Sequence, residues 1–422
     1  MLDLKFIREN VDLVKKSVKN RGMEVDIDRL LAIDDRRKAI QKQLDELRHK
    51  HKQENKEIPE LRKRGEDVSL KIKESKKLSQ QIDFLEKQLK DAEEELKQML
   101  LIIPNIPHES VPIGPDASYN KIAKEWGKPP EFDFKPLTHI EIGEHLDIVD
   151  FQRASRMTGS NFVLFKGAGA RLVRALINFM LDLHTQKHGY KEIWPPLLVN
   201  RKSMTGTGQL PKLEEDMYRL KDDDYFLIPT AEVPVTNIHR EEILEEDRLP
   251  IYYTAYTPCF RREAGSYGKE TRGLIRVHQF DKVELVKIVK PEDSWEEHEK
   301  LLQDAEEVLQ LLGLHYRVVV LSTGDLSFAA SKCYDIELWA PGLERWLEVS
   351  SCSNFTDFQA RRSGMKFRRK DGTLTYPHTL NGSGVAFARL IISLLETYQQ
   401  KDGSVIIPET LRPYMDGLSK IC

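Results

Sequence analysis

The sequence predicts an α+β protein with an antiparallel β-sheet core flanked by helices and an N-terminal antiparallel α-helical coiled-coil arm. Two observations carry this prediction. Residues 27–103 contain one glycine, one proline and one aromatic residue, a composition that favours long helices. Beyond residue 116, strand-like runs and helical stretches follow one another without regular alternation, which is typical of an antiparallel sheet.

The arm is predicted from apolar residues that recur every three or four positions, as in a coiled-coil seam. His51 and Glu54 occupy two seam positions in its first half. The turn is expected at residues 64–67, because Gly65 tolerates the backbone of a chain reversal. Two helices of roughly 40 residues give an arm about 55 Å long. The apolar seam residues are Ile33, Ile40, Leu44, Leu47, Ile58, Leu61, Leu78, Ile82, Leu85, Leu89, Ala92, Leu96, Met99 and Ile103.

Prolines end the predicted arm. Pro104, Pro107, Pro112 and Pro115 form a linker, because proline supplies no backbone donor and stops a helix. We therefore expect one domain over residues 1–110 and a second over residues 111–422. In the second domain, strands are predicted at residues 252–263, 274–289, 316–321, 333–338 and 345–350, and helices at residues 167–188, 296–312 and 384–400.

The charge balance excludes a protein that binds nucleic acid with its whole surface. The chain has 65 Lys and Arg against 68 Asp and Glu, a net charge of -3. Residues 48–77, around the tip of the arm, nevertheless hold 11 Lys and Arg against 6 Asp and Glu. This segment is either an ordinary solvated coiled-coil surface or a contact for phosphates. With so few aromatic residues, the second alternative favours double-stranded RNA over stacked single strands.

The cysteines are too few and too scattered for a disulfide scaffold. Cys259, Cys333, Cys352 and Cys422 form no C-x-x-C pair, so no zinc site is expected. The sequence shows neither a signal-peptide core nor an apolar run of the ~18 residues that a membrane span requires. These features predict a cytoplasmic protein with reduced thiols.

The first candidate site residues close a predicted strand. Arg261 and Glu263 would share one face of it, where arginine can bind phosphate and the carboxylate can accept from an amine of the same ligand. A glycine-rich stretch follows and is predicted to be a flexible hairpin loop; it holds Gly265, Gly268, Lys269, Arg272 and Gly273. On the second predicted strand, one face carries Arg276, His278, Phe280, Lys282 and Glu284. A base can stack on Phe280, although an ordinary hairpin with surface ion pairs gives the same pattern.

Three further runs carry polar groups. Residues 381–384 form an Asn-Gly-Ser-Gly run before a predicted helix with Arg389, and either bind an anion or form a simple turn. Glu348 and Ser351, at a predicted strand end, offer hard oxygen ligands that suit Mg²⁺. Thr230 and Glu232 would lie on the same side of an extended segment.

Taken in order, these runs resemble motifs 2 and 3 of the class II aminoacyl-tRNA synthetases, over about residues 252–285 and 379–395. Residues 171–196, a long helix followed by Glu-Ile-Trp-Pro-Pro, resemble motif 1. A class II core preceded by a coiled-coil hairpin resembles, more narrowly, the bacterial-type seryl-tRNA synthetase family. Two rival interpretations are another class II synthetase and a catalytically silent paralogue that acts as a coiled-coil interaction module.

The resemblance implies that ATP activates serine to seryl-adenylate, and that the seryl group then passes to the 3′-terminal adenosine of the serine tRNA. It implies ATP as substrate, Mg²⁺ held by Glu348 and Ser351, and a homodimer built on motif 1. The arm would contact tRNA, and a selenocysteine tRNA would be charged where one exists. Arg261 and Arg389 would be catalytic. The implied serine-binding residues are Thr230, Ala231, Glu232, Glu284, Asn381 and Ser383. The implied ATP-binding residues are Arg261, Arg262, Glu263, Arg276, Val277, Phe280, Glu348, Val349, Ser350, Ser351 and Arg389.

Overall fold

The computed structural model describes residues 1–264 and 272–422. Of the predicted glycine-rich loop, Gly265, Gly268 and Lys269 lie outside the described residues. The chain divides into two compact units, one of residues 2–19 and 23–104 and the other of residues 1, 20–22 and 105–422. Among the described residues, no helix is both long enough and apolar enough to cross a membrane.

The first unit contains the predicted coiled-coil hairpin, which is confirmed. Its helices are α1 (Leu4–Glu9), α2 (Val11–Asn20), α3 (Ile27–Lys63) and α4 (Ser69–Leu101). The turn between α3 and α4 includes Gly65 with φ +76°, the left-handed backbone that glycine adopts without a steric penalty. Pro59 does not end α3, which continues to Lys63.

Burial along the arm follows the predicted seam. Leu44 on α3 and Ile82 and Leu96 on α4 are buried, whereas His51 and Glu54 are half-buried at the two polar seam positions. Ion pairs cross between the helices on the flanks of the seam, and they join Arg36 to Glu95, Arg48 to Glu86 and Lys71 to Glu57. These pairs are exposed and stabilise the arm little. The buried seam therefore holds the two helices together.

The second unit is built on an eight-stranded sheet. Its helices are α5 (His139–His145), α6 (Phe151–Thr158), α7 (Gly167–Gln186), α8 (Arg201–Thr207), α9 (Glu232–Thr236), α10 (Ser294–Leu311), α11 (Phe358–Ser363) and α12 (Phe387–Tyr398). Its strands are β1 (Lys121–Trp126), β2 (Lys191–Glu192), β3 (Leu198–Asn200), β4 (Tyr225–Leu227), β5 (Ile243–Glu245), β6 (Ile251–Phe260), β7 (Gln279–Val289), β8 (Tyr316–Val320), β9 (Lys332–Ala340), β10 (Arg345–Asn354), β11 (Lys366–Arg368), β12 (Leu374–Thr375), β13 (His378–Ala386), β14 (Val405–Ile406) and β15 (Lys420–Ile421).

The strand order of the large sheet is β1-β8-β9-β10-β13-β7-β6-β2. Every neighbouring pair is antiparallel except β2 and β6 at one edge. The predicted antiparallel α+β core is therefore confirmed. Helices α7, α10 and α12 contact the sheet and bury its apolar side chains. The strand order places β10 and β13 at the centre of the sheet, with β7 next to β13.

Three local predictions were wrong. The second strand of the motif 2 pair begins at Gln279, so Arg276 and His278 precede it. The strand before it ends at Phe260, and Glu263 has φ +49°, so the chain is no longer extended there. Thr230 is followed at once by the short helix α9, so Thr230 and Glu232 are not on an extended segment.

The run at residues 381–384 is neither a turn nor a helix start. It lies inside β13, and the helix that follows begins at Phe387. A Cβ on Gly382 would stand 3.1 Å from Leu301 of α10, and one on Gly384 would stand 2.9 Å from His184 of α7. Glycine is present because both helices approach the strand closely, which is the usual reason for glycine within a sheet.

Candidate active site

A cavity of about 370 Å³ lies over the central strands of the sheet. Its size is typical of a small-molecule site. The predicted site residues that line it are Thr230, Glu232, Arg261, Glu263, Arg276, Val277, Phe280, Glu348, Val349, Ser351, Asn381, Ser383 and Arg389. Residues separated by as many as 159 positions in the sequence thus meet in one place.

Four predicted site residues are not part of the cavity lining. Ala231 and Glu284 are fully buried. Arg262 is exposed, and its backbone N–H donates to the carbonyl of Asp216. Ser350 is buried and its hydroxyl donates to the carbonyl of Ser383 on the neighbouring strand.

A β-bulge in β10 brings Glu348 and Ser351 to the same side. Residues three apart on a regular strand point to opposite faces. The pairing with β9 shifts by one residue between Glu348 and Ser350, and this extra residue reverses the alternation. Both side chains therefore reach the cavity.

A second bulge acts in the same way on β13. Its register with β7 shifts between Ser383 and Val385, and Val385 has φ +141°. Ala386 consequently lies on the same side as Asn381 and Ser383, and all three line the cavity. Bulges of this kind re-aim side chains at functional sites.

Two arginines lie where β6 ends and β7 begins. The Arg261 guanidinium is 5.3 Å from the centroid of the Phe280 ring, close enough for a cation–π interaction. Arg276 Nη1 donates to Glu263 Oε2 at 2.8 Å. Two guanidinium groups, an aromatic ring and a carboxylate are therefore adjacent at this end of the cavity.

Glu284 lies beneath the cavity, and both of its carboxylate oxygens have hydrogen-bond or ion-pair partners. Its Oε2 accepts from Thr230 Oγ1 at 2.8 Å and pairs with Lys282, and its Oε1 accepts from Asn381 Nδ2 at 3.0 Å. Lys282 Nζ also donates to Thr230 Oγ1 at 2.9 Å. Because the lysine supplies a positive charge, Glu284 is a paired carboxylate.

Glu232 is the contrasting carboxylate, and it lines the cavity. Burial, together with the nearby charge of Glu284, raises its pKa to about 7. Gln359 Nε2 donates to its Oε1 at 2.6 Å and acts in the opposite direction, as do the charges of Lys282 and Arg261. An added cation would therefore be favoured beside Glu232.

The end of the cavity at β10 has the chemistry of a hard-cation site. The Glu348 carboxylate and the Ser351 hydroxyl are oxygen donors, and Arg389 Nη1 donates to the Glu348 carbonyl at 2.8 Å. Burial, and to a lesser extent the charge of Glu348, raise the pKa of neighbouring Asp335 well above its usual range. No cluster of three His, Cys, Asp or Glu residues that could hold a metal occurs among the described residues. The donor set fits Mg²⁺, which commonly takes one or two protein ligands beside substrate phosphates and water.

Sequence reasoning missed several residues of the site. Thr207, Gln209, Lys282, Phe328 and Phe355 line the cavity, although none was assigned a ligand role. Gln359, which does not line the cavity, donates a hydrogen bond to Glu232. The alternation along the second strand singled out Lys282, but the other residues belong to no recognisable motif.

Two family models match the chain. Residues 1–107 match the family described as the seryl-tRNA synthetase N-terminal domain. Residues 215–398 match the tRNA synthetase class II core domain (G, H, P, S and T).

Full-length relatives are also similar. A serine–tRNA ligase of Thermodesulfovibrio yellowstonii is 56% identical over 98% of this chain and 99% of its own. One of Caldanaerobacter subterraneus subsp. tengcongensis is 58% identical over 98% of both chains.

Among solved structures, the seryl-tRNA synthetase from Pyrococcus horikoshii complexed with ATP has a TM-score of 0.93 at 38% identity, covering 100% of this chain and 99% of that one. A prolyl-tRNA synthetase from Giardia lamblia, with a TM-score of 0.57 at 15% identity over 66% of this chain and 58% of its own, shares the fold alone. The chain therefore belongs to the seryl-tRNA synthetase family of class II aminoacyl-tRNA synthetases.

Proposed function

We propose that the protein is an ATP-dependent serine–tRNA ligase. It activates L-serine with ATP to seryl-adenylate and pyrophosphate, and then transfers the seryl group to the 3′-terminal adenosine of the serine tRNA. The observation that carries this proposal is the meeting of phosphate-binding, stacking and carboxylate side chains in one cavity of a chain that belongs to this family.

In the first step the serine carboxylate attacks the α-phosphate of ATP. The carboxylate is ionised at neutral pH, so the step needs no protein nucleophile. Negative charge builds on the phosphoryl oxygens, and stabilising it is the main catalytic task. Arg261 contacts the α-phosphate and Arg389 contacts the γ-phosphate. Their separate positions, after β6 and on α12, suit the two ends of a triphosphate.

The nucleoside occupies the end of the cavity at Phe280. Adenine stacks on this ring, and Glu263 accepts from its amine. The 2.8 Å ion pair with Arg276 supports this role, because it holds the Glu263 carboxylate in place. Val277 contributes through its backbone. Arg262, whose side chain does not line the cavity, is the weakest member of the ATP set.

Glu348 and Ser351 would hold Mg²⁺, with Val349 and Ser350 as their backbone support. When bound, the ion would neutralise part of the negative charge of the phosphates. The bulge in β10 supports this assignment, since without it the two side chains would lie on opposite faces of the strand.

Serine is recognised by Thr230, Glu232, Asn381 and Ser383, which line the cavity. Ala231 and Glu284, the other two predicted serine-binding residues, are fully buried and support the site without facing the cavity. A site that hydrogen-bonds the serine hydroxyl rejects alanine, because buried polar groups would stay unpaired at a cost of ~1–3 kcal/mol each. Threonine keeps the hydroxyl and is excluded by shape.

The coiled-coil arm binds the tRNA. The excess of basic residues among residues 48–77 supports contact with the phosphate backbone. Charging of a selenocysteine tRNA follows from the same recognition, where that tRNA exists. We place the enzyme in the cytoplasm, where tRNA and ATP meet.

The protein forms a homodimer through the segment that resembles motif 1. Trp194 is 78% exposed, and Leu197 and Leu198 beside it are also exposed. A contiguous exposed apolar run of this kind marks a protein interface. Symmetric dimers are the commonest oligomers.

The function is tested by charging tRNA in vitro with labelled serine. The serine tRNA should be charged, and a variant without its long variable arm should be charged poorly. A folded protein that does not transfer labelled serine to the serine tRNA would contradict the proposal.

A further inference from the structure

Gln359 on α11 contacts one of the site carboxylates without lining the cavity. The side chain is completely buried. Its Nε2 donates to Glu232 Oε1 at 2.6 Å and to the backbone carbonyl of Thr207 at 3.1 Å, and its Oε1 accepts from Thr379 Oγ1 at 2.7 Å. Because a carbonyl can only accept, the amide NH₂ group must face Thr207, and this fixes which end of the amide meets Glu232.

The two carboxylates of the serine site, Glu284 and Glu232, differ in how many of their oxygens have partners within the protein. Glu284 has both oxygens occupied and a lysine beside it. Glu232 has one oxygen held by the neutral amide of Gln359. Its Oε2 has no hydrogen-bond partner among residues 1–264 and 272–422. A buried carboxylate without a cation is the one that a ligand ammonium can pair with.

We propose that Gln359 is a positioning residue of the amino-acid site, which holds Oε1 of Glu232 so that Oε2 faces the ammonium group of serine. The inference rests on the proposed function, since it takes serine to be the ligand of Glu232. Gln359 itself does not touch the substrate. It acts by keeping the carboxylate in one orientation and ionised.

The charged groups around Glu232 make this role measurable. Burial and the charge of Glu284 favour the neutral acid, whereas the Gln359 hydrogen bond and the charges of Lys282 and Arg261 favour the carboxylate. Without the amide the balance shifts towards the neutral acid, which cannot pair with an ammonium. Serine binding would then require a higher pH.

Gln359 also has a purely structural contact. Thr207 is the last residue of α8, and its carbonyl is one of those that a helix end leaves without an intrahelical partner. Loss of this contact would lower the stability of the fold but would not move a pH profile. The pH dependence of serine activation therefore separates positioning from a structural contribution.

The experiment measures serine-dependent ATP–pyrophosphate exchange of the full-length protein from pH 6 to pH 9. For Gln359→Met we expect the serine KM at pH 7 to rise about tenfold, because a hydrogen bond to a charged group is lost. The ATP KM should stay within about twofold. The midpoint of the pH profile of kcat/KM for serine should move upwards by about one unit. Thr379→Val, which removes only the donor to the Gln359 carbonyl, should shift both values in the same direction by less.

Gln399→Met is the matched control. Gln399 is also buried, and its amide also makes three hydrogen bonds, two donated to the carbonyls of Leu137 and Glu396 and one accepted from the Leu137 N–H. It lies outside the cavity lining, so its variant should lose stability without changing the serine KM or the pH profile.

The Glu232→Gln variant tests the assignment of Glu232 to serine separately from the positioning role of Gln359. If it raises the serine KM and flattens the pH profile while both Gln359→Met and Thr379→Val behave as wild type, the positioning role is overturned and the serine assignment stands. A rise in the serine KM of Gln359→Met with an unmoved pH midpoint also overturns it. If Glu232→Gln leaves serine activation unchanged, the assignment of Glu232 itself fails.

Discussion

Lys282 Nζ forms an ion pair with the Glu284 carboxylate, and the two side chains are only 6% and 0% exposed. Thr230 donates to the same carboxylate oxygen and accepts from the same lysine. Lys282 and Thr230 line the cavity, and the fully buried Glu284 lies behind them. The ion pair explains why Glu284 needs no ligand to be stable, whereas Glu232, without a cation of its own, does.

Removing the lysine should destabilise the fold. Lys282→Met leaves a buried carboxylate uncompensated, which costs about 3–5 kcal/mol. We expect a loss of that order in the free energy of unfolding measured with urea. Adding Glu284→Gln should restore part of it, because the remaining group is neutral. A single variant as stable as wild type would show that the pair carries no such energy.

The neighbouring residues Arg261 and Arg262 should differ sharply. Arg261 lines the cavity, and its only side-chain hydrogen bond in the described structure is a 3.4 Å contact with the Pro229 carbonyl. Arg261→Ala should therefore slow pyrophosphate exchange by about 10²–10³-fold with little loss of stability, since one transition-state contact is removed. Arg262→Ala should slow it less than about tenfold. Equal effects would contradict the assigned roles.

Serine binding should strengthen as pH rises through 7. A carboxyl with a raised pKa is largely neutral below that pH, and pairing with an ammonium requires the ionised form. With the pKa of Glu232 at about 7, the apparent affinity for serine should rise about tenfold from pH 6 to pH 8. Binding at pH 7 should release about half a proton.

Calorimetry in two buffers of different ionisation enthalpy measures this proton release. Glu232→Gln should abolish it. The same raised pKa makes the empty protein less stable as pH rises from about 4.5 to 7, because the unfolded chain gives up this proton more readily. Proton uptake on serine binding would have the wrong sign for this account.

The tip of the arm should be needed for charging tRNA but not for activating serine. Removing residues 49–85 and joining the helices by a short Gly-Ser turn cuts both helices at the same level and keeps the Arg36–Glu95 and Arg48–Glu86 pairs. Pyrophosphate exchange should be unchanged, whereas kcat/KM for tRNA should fall by at least about tenfold. The loss should shrink as salt is raised, since counterion release is the driving force. Exchange that fell equally with charging would contradict this separation.

Periodicity alone predicted the arm, because its seam repeats over many turns. The continuation of α3 past Pro59 was part of this prediction, because Ile58 and Leu61 belong to the seam and the turn was expected at residues 64–67. The antiparallel core also followed from the order of elements. The Asn-Gly-Ser-Gly run was misassigned because glycine signals a turn as readily as close packing, and only the approach of His184 and Leu301 distinguishes the two.

The residues of the site were predicted largely through resemblance to a known family. The geometry in which they meet was not predicted. The two bulges depend on the pairing of β10 and β13 with their neighbours, which no single strand encodes. Gln359 was missed for a related reason. A buried amide carries no motif, and its importance lies in three partners from distant parts of the chain.

The most direct test of the account is ATP–pyrophosphate exchange of the full-length protein across the twenty amino acids. Serine should give by far the strongest exchange. Alanine should be rejected for its missing hydroxyl and threonine for its extra methyl group. Stronger exchange with any other amino acid, or a folded protein with none, would contradict the proposed function.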